Sequence, residues 1–131
     1  MIQMHHIRVV HFFICFFINN NVNGIIVNMI CKVKKLDVDA LLPVYAHSGD
    51  AGMDLFALED TTIPIGQIVA VRTGIAMQIP DGYVGLIWDK SGLSIRHGLK
   101  TVGGVIDSGF RGEILIGMTN LGKVDYVIEK G

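Results

Sequence analysis

The chain has 131 residues, a formal net charge of -1 and a hydrophobic share of 50%. That length allows one domain with a modest core, and a near-neutral balance with no basic run offers no field for a nucleic-acid backbone, so no nucleic-acid partner is expected. Cys15 and Cys31 are too few for a disulfide framework, which makes a reducing, cytoplasmic setting the expectation.

The first 28 residues differ in character from the rest. An apolar run from Val9 to Ile18 is followed by an Asn-rich stretch, Asn19 to Asn23. The run is short for a membrane span, so no membrane association is expected. Arg8 and the apolar length suit a signal peptide, but no small-residue cleavage site follows. Residues 1–28 are therefore set aside as a doubtful leader or upstream extension, and 29–131 are taken as the domain.

From Met29 the chain reads as β. Met29 to Leu36 alternates like a first strand, and Gln67 to Thr73 and Gly74 to Ile79 carry β-branched, partly alternating patterns with Gly74 at a bend. Pro80-Asp81-Gly82 is turn chemistry. Tyr83 to Trp88, Glu113 to Thr119 and Val124 to Ile128 are further strands, and a hairpin is expected across Gly98 to Val105 around Gly103-Gly104. One short helix is expected from Ser91 to Arg96, with Ser91 able to cap it. Many short strands with sixteen glycines predict an all-β sandwich or barrel.

Three segments pair glycines with polar side chains: Gly49-Asp50-Ala51-Gly52-Met53-Asp54-Leu55, Lys90-Ser91-Gly92-Leu93-Ser94, and Gly104-Val105-Ile106-Asp107-Ser108-Gly109-Phe110-Arg111-Gly112-Glu113. Such segments let a backbone approach a phosphate with a reactive group beside it. In order and spacing the set resembles the first three of five motifs of the trimeric dUTPases, which split dUTP into dUMP and pyrophosphate, keep uracil out of DNA and supply dUMP for dTMP synthesis.

The resemblance implies a distorted jelly roll with one short helix, a homotrimer, dUTP as substrate and Mg2+ as cofactor. It makes Asp107 the catalytic carboxylate that orients the attacking water and meets the sugar 3′-hydroxyl; taken alone, Asp-Ser-Gly reads as a turn aspartate capping its own backbone. Phe110 stands where tyrosine is usual and would pack under the deoxyribose, against the plain reading of a core aromatic. Lys90, Ser91 and Gly92 would bind the phosphates, with Lys90 in place of a usual arginine and so without its planar fork. Asp54 would reach the metal through water rather than directly. Thr101, Gly104 and Val105 fall in the segment that reads uracil, and His97 is read as structural.

The resemblance covers Met29 to Gly131. Val127-Ile128-Glu129-Lys130-Gly131 looks like the approach to the fourth motif, and with neither that motif nor the fifth in the chain, a weak or inactive enzyme is the expectation. Two alternatives remain: a dCTP deaminase-like enzyme, disfavoured because Gly117 stands where its proton-moving glutamate belongs, and a non-catalytic nucleotide-binding fragment of the same fold.

Overall fold

The computed structural model describes the backbone of Phe12–Phe17 and residues 30–131. In chain order the elements are β1 (Phe12–Phe17), β2 (Lys32–Lys35), β3 (Met53–Leu55), β4 (Thr61–Ile63), β5 (Ile68–Arg72), β6 (Ile75–Gln78), β7 (Val84–Trp88), α1 (Ser91–His97), β8 (Leu99–Val102), β9 (Val105–Ile106), β10 (Leu115–Asn120) and β11 (Tyr126–Ile128). The strands form a four-stranded sheet in the order β3-β1-β7-β9, a three-stranded sheet β5-β10-β8, and two ribbons, β11-β4 and β2-β6. This is the all-β architecture with one short helix that the pattern predicts, in the jelly-roll form that the resemblance implies.

Alternation places the core. Ile114, Ile116 and Met118 are buried while Leu115 between them is exposed, the period of two that a strand imposes. They pack with Leu55, Ile63, Val71, Ile75, Met77, Leu99 and Ile128 in a single cluster, each such side chain stabilising the fold by about 1.5–3 kcal/mol. Turns act where glycine is required. Gly82 closes the Pro80 turn at φ +84°, with Tyr83 N–H donating to Pro80 C=O at 3.1 Å. Gly74 takes φ +68° at the bend between β5 and β6, where Glu113 accepts its N–H at 2.9 Å.

Four features depart from the sequence reading. Phe12–Phe17, set aside with the leader, is a strand inside the main sheet, while the rest of residues 1–28 lie outside the described residues. Strand β4 had no recognisable pattern, because three residues are too few to show one. The expected hairpin is a corner instead: Gly103 and Gly104, at φ +78° and +87°, pass the chain from β8, which pairs with β10, to β9, which pairs with β7. Ser91 is the first helical residue rather than the cap; Lys90 holds that position without a side-chain cap bond.

Gly117 faces Val102 across the β10–β8 ladder, and a Cβ there would lie 2.6 Å from the Val102 carbonyl oxygen. Backbone cannot yield as a flexible side chain does, so Gly117→Ala is expected to cost about 1–3 kcal/mol. At Gly109 nothing lies within 4 Å of an added Cβ. Urea denaturation should show Gly109→Ala near neutral; equal losses in the two variants would remove the steric account.

Candidate active site

Strand β3 carries Asp54 into the interior, where it is 1% exposed. Its backbone is fixed on both flanks: it lies opposite Phe13 of β1 on one side, and on the other its N–H donates to Val44 C=O at 2.7 Å. Lys90 Nζ lies 3.1 Å from Asp54 Oδ1 and 3.4 Å from Oδ2, with the lysine side chain 27% exposed. The first motif and the second, 36 residues apart, therefore meet in one partly buried ion pair.

Adjacent residues at the end of an extended strand point to opposite sides, and Asp89 turns the other way from Lys90. Asp89 accepts hydrogen bonds from the Thr101 N–H and hydroxyl, both at 2.7 Å, and from Lys100 Nζ. Burial by itself would raise its pKa. The Lys100 hydrogen bond, the two Thr101 donors and the Lys100 charge outweigh that and hold the carboxyl below its ordinary value. Thr101, expected at the base, thus has its N–H and hydroxyl engaged in fixing β8 to the end of β7. Nothing in the three motifs announces Asp89 as the tie.

Helix α1 starts at Ser91, with the N–H groups of Leu93 and Ser94 donating to Lys90 C=O at 2.9 and 3.0 Å. Gly92 is not demanded by packing: an added Cβ would meet only Arg96 Nη2, at 3.9 Å. The helix ends at Gly98, φ +72°, and the His97 ring lies tilted at 54° against Tyr126, with centroids 4.9 Å apart. His97 is a packing residue, as read from the sequence.

Asp107 follows β9 directly. It is exposed, and its backbone C=O accepts the Phe110 N–H at 3.0 Å to close a turn. Among the described residues its carboxylate makes no hydrogen bond, so the self-capping reading does not describe this turn. Arg111 ties the turn instead, donating to the Ser108 and Phe110 carbonyls. Phe110 is 41% exposed, with its ring over Gly112, and is not a core aromatic. Val105, expected in the segment that reads uracil, is 65% exposed; Ile106 packs against the core. Gly104 lies close under Ile87, where an added Cβ would come within 2.9 Å of the carbonyl oxygen.

Register then separates the candidates. Ile106 pairs with Gly85 and Val105 with Leu86, so Asp107 falls level with Val84 at the start of β7. Trp88, at the other end of that strand, is level with Asp54 across β1. At ~3.3 Å per residue the strand sets these levels about 13 Å apart, and Lys90 and Ser91 follow the far end of the strand. One chain holds Asp54, Lys90, Ser91 and Gly92 together and keeps Asp107 and Phe110 away from them.

No three His, Cys, Asp or Glu side chains converge among the described residues. Among the described residues Asp54 offers one carboxylate, 1% exposed and paired with the Lys90 ammonium, so a magnesium at this place would have to draw its inner ligands from phosphate and water. Also among the described residues, no helix is long and apolar enough to cross a membrane.

The dUTPase family model matches residues 39–131, and the chain belongs to that family, the dUTP nucleotidohydrolases. A deoxyuridine 5'-triphosphate nucleotidohydrolase of Clostridioides difficile is 43% identical over 101 residues, covering 76% of this chain and 71% of that protein. Its counterpart in Thermobifida fusca is 48% identical over 91 residues, covering 68% of this chain; the match spans only 51% of that protein. Among solved structures, the dUTPase of Staphylococcus bacteriophage 80alpha with dUpNHpp superposes with a TM-score of 0.74 at 29% identity, covering 78% of this chain and 76% of that one. A variant dUTPase from phage phi11 of S. aureus, described with a structural Mg(II) ion, superposes with a TM-score of 0.68 at 33% identity, covering 72% and 61%. Membership disfavours the deaminase reading, and the Gly117 contact with Val102 shows that this position has no room for a glutamate.

Lys90→Met removes the ammonium that faces a buried carboxylate, a change expected to cost about 3 kcal/mol of stability. Lys90→Arg should retain most of it. Chemical denaturation of the two variants checks this; a loss below about 0.5 kcal/mol in Lys90→Met would mean that other contacts hold Asp54.

Proposed function

We propose that the protein hydrolyses dUTP to dUMP and pyrophosphate at sites shared between neighbouring chains of a homotrimer, in the cytoplasm. The observation that carries the shared site is the register that sets Asp107 level with Val84, at one end of β7, and leaves Ser91 beyond Trp88 at the other. A water held by Asp107 cannot attack a phosphate held by Ser91 of the same chain. Cyclic assembly brings one chain's Asp107 to the next chain's phosphate grip, and does so three times.

In this reading Asp107 aligns the water and takes its proton as the water's oxygen bonds to the α-phosphorus and the bond from that phosphorus to the α–β bridging oxygen breaks, releasing pyrophosphate. The Phe110 ring floors the deoxyribose and leaves no room for a 2′-hydroxyl. Gly104 and Val105 line the uracil side, where exposed Val105 offers an apolar edge, and Thr101 fixes β8 behind them through Asp89. From the neighbouring chain, Ser91 donates to the α–β bridging oxygen, Lys90 neutralises phosphate charge, and Gly92 lets the backbone close on an anion. Magnesium, when bound, neutralises the triphosphate charge; Asp54 would hold it through its water shell. Placement and electrostatics carry most of the rate, as phosphoryl transfer requires.

Mixing two defective chains tests the shared site. Asp107→Asn and Ser91→Ala are each expected to lower pyrophosphate release from Mg·dUTP at least 100-fold. Exchanged into mixed trimers, they should recover up to about a quarter of wild-type turnover, since each intact half-site then meets an intact partner in that share of interfaces. No recovery in mixed trimers of verified mass would place both groups in one chain's site. A wild-type chain that releases no pyrophosphate would overturn the activity itself.

Sugar selection has its own readout. Phe110→Ala is expected to lower kcat/KM for dUTP and to narrow the gap between dUTP and UTP by about tenfold, near the range of one lost apolar contact. An unchanged ratio would make Phe110 a packing residue of its turn.

A further inference from the structure

The turn that carries Asp107 and Phe110 runs between Ile106 and Ile114, and both of its ends are fixed. Ile106 pairs with Gly85 of β7 at the entry. At the exit Ile114, fully buried, donates its N–H to Ile75 C=O at 2.8 Å and accepts the Thr73 hydroxyl at 2.6 Å. Its neighbour Glu113 adds a second hold, from the side chain. Glu113 Oε1 accepts the Gly74 N–H at 2.9 Å, and Arg72 lies along the same carboxylate, with Nε 3.3 Å from both oxygens and Nη2 3.3 Å from Oε2. A guanidinium set this way fixes direction as well as distance. The support is itself firm. A Cβ at Gly74 would lie 2.9 Å from Ala40 Cβ and 3.0 Å from Leu58 Cδ1, both core residues.

We propose that Glu113 is a positioning residue: it holds the exit of this turn against the Gly74 bend, and so sets the Phe110 ring and the Asp107 carboxylate. A short relay of contacts connects them. Glu113 fixes its neighbour Gly112, the Phe110 ring lies over Gly112, and the Phe110 N–H donates to Asp107 C=O at 3.0 Å. The carboxylate form is required, because both of its oxygens accept. A glutamine that accepts from Gly74 must turn its NH2 toward the guanidinium, and one side of the hold is lost. With the Arg72 and Glu113 side chains 45% and 21% exposed, the pair adds little to overall stability. Its effect is on the turn. The positioning role rests on the proposed function in taking Asp107 and Phe110 as site groups; the hold on the turn stands without it.

Hydrogen exchange and nucleotide selectivity, both on the full chain, test the two claims separately. In Glu113→Gln the Phe110 amide is expected to exchange about tenfold faster, while the amides of residues 99–102 keep their rates. Unchanged exchange at Phe110 would overturn the hold, whether or not the protein turns over dUTP. The same variant should narrow the ratio of kcat/KM for dUTP over UTP about threefold. That ratio does not depend on how much of a sample is folded, so an ion pair that only stabilises the chain leaves it unmoved. Faster Phe110 exchange with an unchanged ratio would overturn the positioning role. A wild-type chain that releases no pyrophosphate from Mg·dUTP would overturn the proposed function and the positioning role with it, and exchange would still decide the hold. Should Glu113→Gln not fold, Arg72→Lys is read instead, since it keeps the charge and the Gly74 bond but loses the planar fork. It should move both readouts in the same directions, and an unmoved ratio would overturn the proposal.

Discussion

Everything in the candidate site depends on the antiparallel ladder through β7. Its first residue, Val84, is level with Asp107, and its last, Trp88, is level with Asp54. Backbone hydrogen bonds do not slip without turning every side chain over to the other face. The separation between Asp107 and the Asp54–Lys90 pair is thus as rigid as the sheet. The proposal of sites shared between chains rests on that rigidity.

The strand's far end is held from two sides by two neighbouring residues. Asp89 ties it to β8 through Thr101 and Lys100, and Lys90 ties it to β3 through Asp54. The Asp89 bonds favour its charged form, so their stabilisation is fully present above the ordinary carboxylate pKa of ~4 and is lost as the pH falls through the lowered folded value. The start of α1 is consequently fixed by charges on the strand before it. The seven-residue helix itself buries none of its residues. Ser91 and Gly92 take their place from the strand end more than from the helix.

The turn after β9 is built differently. Arg111 donates to two carbonyls of its own loop, and the Phe110 ring lies over Gly112, which leaves the Asp107 carboxylate unused by the turn. Arg111 has no signal in the sequence beyond its charge, because its acceptors are main-chain atoms one and three positions away in a turn that periodicity does not describe.

Much of the fold was legible. Alternation marked β5, β6, β7 and β10 to within a residue or two, and Pro80-Asp81-Gly82 and Gly74 fell at the turns their chemistry requires. The three glycine-polar segments located Asp54, Ser91 and Asp107, because local backbone geometry and residue chemistry are written in consecutive positions. Pairing is not so written. That Lys90 meets Asp54, that Asp89 claims the donors of Thr101, and that Gly103-Gly104 turns a corner between sheets are all decided by strands distant in sequence. The plainest case is Phe12–Phe17. Its apolar run was set aside with the leader, and only its pairing with β3 and β7 shows a strand. Sequence determined which residues could carry the chemistry; the tertiary structure decided which of them stand together, because hydrogen-bonded register between distant strands fixes distances that no local pattern contains.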